Sequence, residues 1–191
     1  LAAVASPGFR ELDGLRRVAV VLSGANIDRA VLADLLCDGK VVGHYYGRME
    51  YGLRALGNRS IFYRPDDPAV NDWLNERLQR SEFMPFAPVV LEEKADECFH
   101  RVEGGRLAGR YMTLTFDAQD DFRAKAPGVV HIDGTARPQF ISKENNSRTY
   151  EILRHFYERT GIPCLVNTSF NMHSEPIVCT PETANGVSGH R

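Results

Sequence analysis

Arginine and glycine are concentrated in one stretch, residues 47–60, with the sequence GRMEYGLRALGNRS. Its three arginines are Arg48, Arg54 and Arg59, and its only acid is Glu50. Glycine lets a backbone turn sharply and approach a ligand closely, and arginine presents a planar set of donors that matches phosphate or carboxylate. The stretch therefore predicts an anion-binding loop. The alternative is a solvated, charge-rich turn, since the spacing matches neither of the common glycine-rich nucleotide signatures.

Two further polar clusters follow predicted strands. Residues 131–139 (HIDGTARPQ) place Asp133, Thr135 and Arg137 around a glycine, and residues 167–171 (NTSFN) come at the end of another predicted strand. Open α/β sheets bind ligands at the ends of their strands. Each cluster alone is better explained as a turn whose polar side chains bond to their own backbone. Three clusters in one chain favour a binding site.

The composition is that of an ordinary globular protein of 191 residues, with 43% hydrophobic and 25% charged residues. This length is sufficient for one domain with a sizeable core. The net charge of −2 argues against a broad basic face, so no nucleic-acid partner is expected. No apolar run reaches the roughly 18 residues of a membrane span and no signal peptide is recognised, so no membrane partner is expected either.

The cysteine and histidine residues are scattered along the chain. The four cysteines form no C-x-x-C pair, and the six histidines show no metal-binding spacing. We therefore expect reduced thiols, a cytoplasmic location and no metal site built from a cluster of side chains.

Helical and strand patterns alternate along the sequence. Apolar runs predict strands at residues 17–22, 40–46, 89–91, 111–116, 129–133, 139–142 and 163–167, with 111–116 as the best candidate. Capping signals and apolar stripes predict helices at residues 28–38, 68–80, 92–99 and 148–160, the last with Ser147 as its N-cap. This alternation predicts an α/β fold, bordering on α+β, in which helices pack on a mixed sheet.

Six motifs in collinear order are more specific than any one of them. They are GRMEYGLRALGNRSI (47–61), DWLNERL (72–78), FMPFAPVVLEE (83–93), HIDGTARPQ (131–139), TGIPCLVNTSFN (160–171) and EPIVCTPETA (175–184). Through these motifs the sequence resembles the C-terminal domain of the NodU/CmcH-type O-carbamoyltransferases. That domain has a YrdC-like fold, a mixed twisted β-sheet with helices packed on it. The resemblance assigns residues 39–184 to the domain, after an atypical segment 1–38 and before a non-matching tail 185–191.

The resemblance also implies an activity. In this family the domain binds ATP and carbamoyl phosphate, with Mg²⁺ carried by the ATP phosphates, and makes carbamoyl-adenylate. A preceding domain with an ASKHA-type kinase fold then passes the carbamoyl group to the hydroxyl group of an acceptor. That domain is the partner expected outside this sequence.

Site residues follow from the matching motifs. Arg54, Arg59 and Arg137 are the predicted catalytic cations, because preorganised donors aimed at phosphoryl charge are usually the largest catalytic effect. Ser169 and Asn171 resemble the Ser-x-Asn pair with which YrdC-like domains hold nucleotide phosphates and magnesium. The predicted binding residues are Arg48, Asn58, Ser60, Arg80, Asp133, Thr135, Asn167, Ser169 and Asn171. Glu50 and Asp133 are expected to orient arginines rather than to act as acids or bases.

The sequence departs from the family pattern at two places. Met84 stands before Pro85 where many relatives carry a cation, and the upstream cation is Arg80 instead of lysine. A helix signalled by Thr180 and Pro181 is followed by only ten residues, which predicts truncation at the C-terminus.

Two other functions stay open at this point. One is the synthesis of threonylcarbamoyl-adenylate for tRNA modification, which would require threonine and bicarbonate. The other is a non-catalytic remnant that binds a nucleotide or an anion.

Overall fold

A six-stranded mixed sheet organises the chain in the computed structural model, which describes residues 18–22, 28–78, 85–173 and 175–184. The strands of this sheet are β1 (Val18–Leu22), β2 (Val41–Tyr45), β3 (Arg59–Tyr63), β4 (Ala87–Leu91), β7 (Gln139–Ile141) and β8 (Cys164–Ser169). A separate antiparallel pair joins β5 (Phe116–Asp117) to β6 (Thr135–Ala136). The predicted α/β class with a mixed sheet is confirmed.

The strand order is β1-β2-β3-β8-β4-β7. The edge pairs β1–β2 and β4–β7 are parallel, and the pairs between them are antiparallel. Because β8 lies between β3 and β4, its Ser169 is opposite Ser60, and its Asn167 is opposite Phe62 on one side and Ala87 on the other. This register brings the end of residues 47–60 next to the polar end of β8.

Helices cover the sheet and close the core. They are α1 (Arg29–Cys37), α2 (Val70–Arg77), α3 (Ala95–Cys98), α4 (Arg106–Gly109), α5 (Asp120–Lys125) and α6 (Lys143–Thr160), with 3₁₀ turns at Glu92–Lys94, Glu103–Gly105 and Pro127–Val129. α1 packs against α6, and α6 packs against β4, β7 and β8. The core that they share includes Leu32, Leu36, Phe62, Val89, Val90, Leu153, Phe156 and Leu165, all fully buried. In the described ranges, no helix combines the length and apolar character needed to cross a bilayer.

The predicted strand at 111–116 is wrong. At the end of α4 the chain folds back, because the N–H groups of Tyr111 and Thr113 both donate to the carbonyl of Ala108, at 3.1 and 3.3 Å. Met112 has a φ of +55°, which a strand does not allow. Only Phe116 of this stretch enters a strand, where its ring is buried, and Tyr111 is 54% exposed. The apolar pattern of residues 111–116 therefore belongs to a turn that packs on the core and not to a paired strand.

The predicted strand at 129–133 is also wrong. Val129 ends a 3₁₀ turn, and the chain then turns tightly, with the His131 N–H donating to the carbonyl of Thr135 at 2.7 Å. The Gly134 N–H donates back to the carbonyl of His131 at 2.9 Å. A four-residue turn leaves no room for an extended run.

Two predicted helices begin at other residues. α2 begins at Val70 rather than at 68, and its predicted end at 80 lies outside the described residues. α6 begins at Lys143, five residues earlier than predicted, and is interrupted at Asn146 (φ −159°, ψ 87°). Its longer part is capped by Asn146 and not by Ser147, because Asn146 Oδ1 accepts from the Thr149 N–H at 3.1 Å.

Candidate functional site

A cavity of about 290 Å³ lies at the polar end of β8. Its polar wall consists of Arg54, Arg137, Asn167, Thr168, Ser169, Asn171 and His173, and its apolar wall of Leu53, Ala55, Pro85, Phe86, Ala87 and Met112. Two arginines and a histidine line it, and no carboxylate is present among these lining residues. Ligand cavities in proteins usually start at about 300 Å³, so the volume suits a small anion or one end of a larger one.

The two arginines repel each other across this cavity. Burial lowers the pKa of Arg137, and the nearby charge of Arg54 lowers it further. Neither side chain forms an ion pair within the described part of the chain. Two guanidinium groups without a carboxylate partner, held close together, attract a multiply charged anion. The cavity is therefore electrostatically suited to a phosphate compound.

Glu50 fixes the shape of the loop that carries Arg54. Its Oε1 accepts from the backbone N–H groups of Leu56, Asn58 and Arg59, at 2.7, 2.6 and 3.2 Å. The sequence predicted that Glu50 orients an arginine side chain, whereas in the structure Glu50 Oε1 orients the backbone of the loop. A carboxylate that accepts several backbone N–H bonds is a strong local constraint.

Arg59 is used inside the loop as well. Its guanidinium donates to the carbonyls of Tyr46, Asn58 and Gly47 at 2.9, 2.9 and 3.0 Å, and stacks 3.6 Å above the Tyr45 ring. The side chain is 3% exposed and does not line the cavity. In this conformation Arg59 closes the base of the loop.

The other predicted site residues in the loop (residues 47–60) also stabilise its conformation. Asn58 Nδ2 donates to the carbonyl of Arg48 at 2.8 Å, and Ser60 Oγ accepts from the Gly57 N–H at 3.0 Å. Asn58 Oδ1 accepts from Asn146 Nδ2 of α6 at 3.1 Å. The side chain of Arg48 does not line the cavity.

A buried histidine connects the loop to α6. His44 Nδ1 donates to the carbonyl of Gly57 at 2.5 Å, and His44 Nε2 accepts from Arg148 Nε at 3.2 Å. Complete burial, together with the charges of Arg148 and Arg59, lowers the pKa of His44 to about 4, against the opposing effect of the Gly57 bond. The imidazole is therefore neutral at pH 7, with its proton on Nδ1.

The end of β8 presents a second polar unit to the cavity. Ser169 Oγ donates to Asn171 Oδ1 at 2.5 Å, and Asn171 Nδ2 donates to the carbonyl of Glu175 at 2.7 Å. Asn167 Nδ2 donates to Gln139 Oε1 at 2.8 Å and to the carbonyl of Ala55 at 3.1 Å. These bonds hold the three side chains of β8 and its extension in fixed orientations.

Asp133 lies in the turn between the last 3₁₀ segment and β6, and Thr135 is the first residue of β6. Asp133 Oδ1 accepts from the N–H and the hydroxyl of Thr135, at 2.9 and 2.8 Å, and these bonds lower the pKa of Asp133. Thr135 Oγ1 also lies 3.1 Å from His131 Nδ1. Neither residue lines the cavity, so Asp133 orders its own turn rather than an arginine.

The structure thus brings five of the predicted residues to one cavity: Arg54, Arg137, Asn167, Ser169 and Asn171. It places Arg48, Asn58, Arg59, Ser60, Asp133 and Thr135 outside the lining, and Arg80 and Met84 lie outside the described residues. Sequence reasoning missed His173, Met112 and Leu53. His173 follows the NTSFN motif by two residues, and this position could have indicated that it lines the site. Nothing in the sequence indicated that Met112 or Leu53 lines it.

No metal cluster is evident within the described ranges, where no three His, Cys, Asp or Glu side chains converge. The cavity offers hydroxyl and amide oxygens of Ser169 and Asn171 beside two cations. This donor set fits a phosphate-bound Mg²⁺ better than an ion held by protein carboxylates.

Comparison with known proteins identifies the family. The model of the family described as "Carbamoyltransferase C-terminus" matches residues 33–190. The uncharacterized protein MJ1058 of Methanocaldococcus jannaschii is 41% identical over 155 residues, covering 81% of this chain and 25% of that protein. Nodulation protein NolNO of Sinorhizobium fredii is 42% identical over 147 residues, covering 76% of this chain and 22% of that protein.

Nodulation protein U of Rhizobium tropici is 39% identical over 142 residues, which is 74% of this chain and 24% of that protein. The chain spans about a quarter of the length of these curated relatives. The family model covers most of the sequence, including the loop, β8 and every described residue that lines the cavity. The chain therefore belongs to the carbamoyltransferase C-terminus family.

Proposed function

We propose that this chain is the part of a carbamoyltransferase that binds carbamoyl phosphate and ATP and forms carbamoyl-adenylate. The observation that carries the proposal is that Arg54 and Arg137 line one cavity, with no carboxylate among its lining residues in the described part of the chain. Both substrates are polyanions, and family membership makes the carbamoyl group the one to be transferred.

The reaction needs charge stabilisation more than it needs a general base. Formation of carbamoyl-adenylate releases pyrophosphate from ATP and phosphate from carbamoyl phosphate, and it consumes one water. In this proposal Arg54 and Arg137 neutralise the phosphoryl groups, and Ser169 and Asn171 hold phosphate oxygens. Mg²⁺, when bound with ATP, would supply further charge neutralisation beside Ser169 and Asn171. Glu50, Asn58, Arg59 and Ser60 position the loop that presents Arg54.

The acceptor reaction is assigned to another part of the whole protein. Because the chain spans about a quarter of its relatives' length, we propose that a kinase-fold domain receives the carbamoyl group and chooses the acceptor hydroxyl. The carbamoyl-adenylate step should therefore be measurable without an acceptor.

Replacement of Arg54 tests the proposal. Arg54→Ala should lower the rate of carbamoyl-phosphate-dependent pyrophosphate release by about 10²–10³-fold, the usual effect of removing one preorganised donor. The assay contains ATP, Mg²⁺ and carbamoyl phosphate and detects pyrophosphate. Arg154→Ala is the matched control, because Arg154 is a half-exposed arginine of α6 that pairs with Glu158.

An unchanged rate in Arg54→Ala would remove Arg54 from the site. Pyrophosphate release that requires threonine and bicarbonate instead of carbamoyl phosphate would favour the threonylcarbamoyl-adenylate reaction. Absence of any ligand-dependent rise in melting temperature, in a chain that unfolds cooperatively, would favour a non-catalytic remnant. A ligand at 100 times its dissociation constant should stabilise the fold by about 2.7 kcal/mol, which a melting experiment resolves easily.

A further inference from the structure

Two buried polar atoms without a hydrogen-bond partner in the described residues belong to side chains that line the cavity. They are the donor Arg137 Nε and the acceptor Asn167 Oδ1. Buried polar atoms are nearly always hydrogen-bonded, so each exception calls for an explanation. Glu50 Oε2 and Arg59 Nε are comparable atoms in the loop, but their side chains do not line the cavity.

The orientation of the Asn167 amide is fixed by its neighbours. Its Nδ2 donates to Gln139 Oε1 and to the carbonyl of Ala55, and Gln139 Nε2 in turn donates to the carbonyl of Leu56 at 2.8 Å. A rotated amide would face Ala55 and Gln139 with an acceptor and lose both bonds. Asn167 Oδ1 is therefore held as an acceptor, in a side chain that is 2% exposed.

A carboxamide group carries the complementary pair of atoms. Its NH₂ group donates, and its carbonyl oxygen accepts. We propose that Asn167 Oδ1 and Arg137 Nε together read the carbamoyl group, with Asn167 accepting from its NH₂ and Arg137 donating to its carbonyl. Asn167 is then the residue that selects carbamoyl phosphate over acetyl phosphate, whose methyl group cannot donate. This inference rests on the proposed function and adds the basis of its substrate selectivity.

The energetics favour a large discrimination. Because Asn167 Oδ1 is already removed from water in the folded chain, a bond to the ligand is not offset by a further loss of protein hydration. Acetyl phosphate leaves this acceptor without a partner. A site built to hydrogen-bond a substrate discriminates strongly against an analogue that lacks the donor.

The first experiment compares two ligands on the unaltered chain. We expect calorimetry with freshly dissolved carbamoyl phosphate and with acetyl phosphate to show binding about 10- to 100-fold tighter for carbamoyl phosphate. Equal affinities would overturn the selectivity inference while leaving anion binding intact. Binding of neither compound would overturn the inference together with the proposed function.

The second experiment assigns the selectivity to a residue. Asn167→Ala should weaken carbamoyl phosphate binding by about 10-fold or more and leave acetyl phosphate binding nearly unchanged, so that the preference disappears. Arg137→Lys keeps the charge but removes Nε, and it should weaken the binding of both compounds alike, because both carry a carbonyl. An Asn167→Ala variant that melts normally and keeps the full preference would overturn the assignment. If that variant does not fold, the comparison of the two ligands decides.

Discussion

His44 shows how one side chain can connect the candidate site to the core. The residue is on β2, its ring is fully buried, and its two nitrogens bond to Gly57 of the loop and to Arg148 of α6. Arg148 also stacks 4.3 Å from the centre of the Tyr46 ring. Protonation of His44 would create a charge in a fully buried position and, in addition, beside the charge of Arg148, which explains why its pKa falls to about 4.

Acid should therefore destabilise the protein through His44. The folded pKa of about 4 lies below the ordinary value of 6.5, so the unfolded chain binds a proton first as the pH falls. The contribution of the neutral ring to stability is complete above about pH 6.5 and is lost as the pH falls toward 4, by about 3 kcal/mol in total. Urea unfolding from pH 7 to pH 4 measures this loss.

The matched variant is His44→Leu, which removes the titration and retains a buried side chain. Its unfolding free energy should depend less on pH between 6.5 and 4 than that of the unaltered chain. Subtraction of the two curves removes the contributions of His131, whose pKa burial also lowers, and of carboxylates such as Asp66, whose pKa Arg64 lowers. Two parallel curves would show that folding does not shift the pKa of His44.

At the scale of elements, residues 47–60 and α6 form one unit around Gly57. The carbonyl of Gly57 accepts from His44 and from Thr149 Oγ1, and its φ is +113°. A Cβ atom at this position would lie 2.6 Å from Thr149 Oγ1 and 2.9 Å from Asn146 Nδ2. Glycine is required here both for the backbone conformation and for the close approach to α6.

Gly57→Ala should therefore destabilise the protein more than the same change at Gly52. Gly52 also has a positive φ, of +125°, but a Cβ atom there would meet nothing within 4 Å. Both variants carry a backbone penalty of about 1–3 kcal/mol, and overpacking against Thr149 adds about 1–3 kcal/mol at Gly57 alone. Urea unfolding of both variants measures the difference. An equal decrease in unfolding free energy for both variants would mean that α6 shifts to accommodate the added methyl group.

Most elements of the sheet could be predicted from the sequence because local patterns determine them. Asp28 caps α1 as its position predicts, with Oδ1 accepting from the Ala30 N–H at 2.9 Å, and Gly39 follows the helix with a φ of +70°. The strand predicted at 111–116 failed because Tyr111 and Thr113 close a turn onto the carbonyl of Ala108, which leaves only Phe116 to pair with β6. Strand formation depends on a partner that local sequence does not specify.

The candidate site was predictable as a set of residue types but not as a division of roles. Arg54 and Arg59 stand in the same motif with equivalent chemistry, yet Arg54 lines the cavity and Arg59 bonds to three carbonyls. Which arginine faces the cavity depends on the turn that Glu50 organises and on the bonds of Leu56 and Gly57 to α6, a helix about 90 residues away in the sequence. Whether Arg59 also contacts phosphate stays a prediction.

At the scale of the whole molecule, α1 belongs to the core that supports the site. Leu36 of α1 is fully buried and α1 packs on α6, so Leu36→Ala should lower the unfolding free energy by about 2–5 kcal/mol. The fluorescence of Trp73, the single tryptophan, reports the transition, since its ring makes an edge contact with Tyr63 of β3 at 5.0 Å.

Val31→Ala on the same helix is the control, because Val31 is 48% exposed and should change stability little. If Leu36→Ala lowers the stability measured by helix content but not the stability measured by Trp73 fluorescence, α1 unfolds apart from the sheet. One shared transition would make α1 part of the same cooperative unit.

The bonds between the loop and α6 also bear on the order of events during folding. Thr149 and Gly57 are 92 residues apart in the chain, and Asn146 and Leu56 are 90 apart. Contacts this distant require closure of a long segment, and such closure comes late and slowly compared with the formation of helices and hairpins. We therefore expect the loop to reach its final shape only when α6 docks, in one of the last steps of folding. Binding of the proposed anion at this loop would then report that the chain has completed its fold.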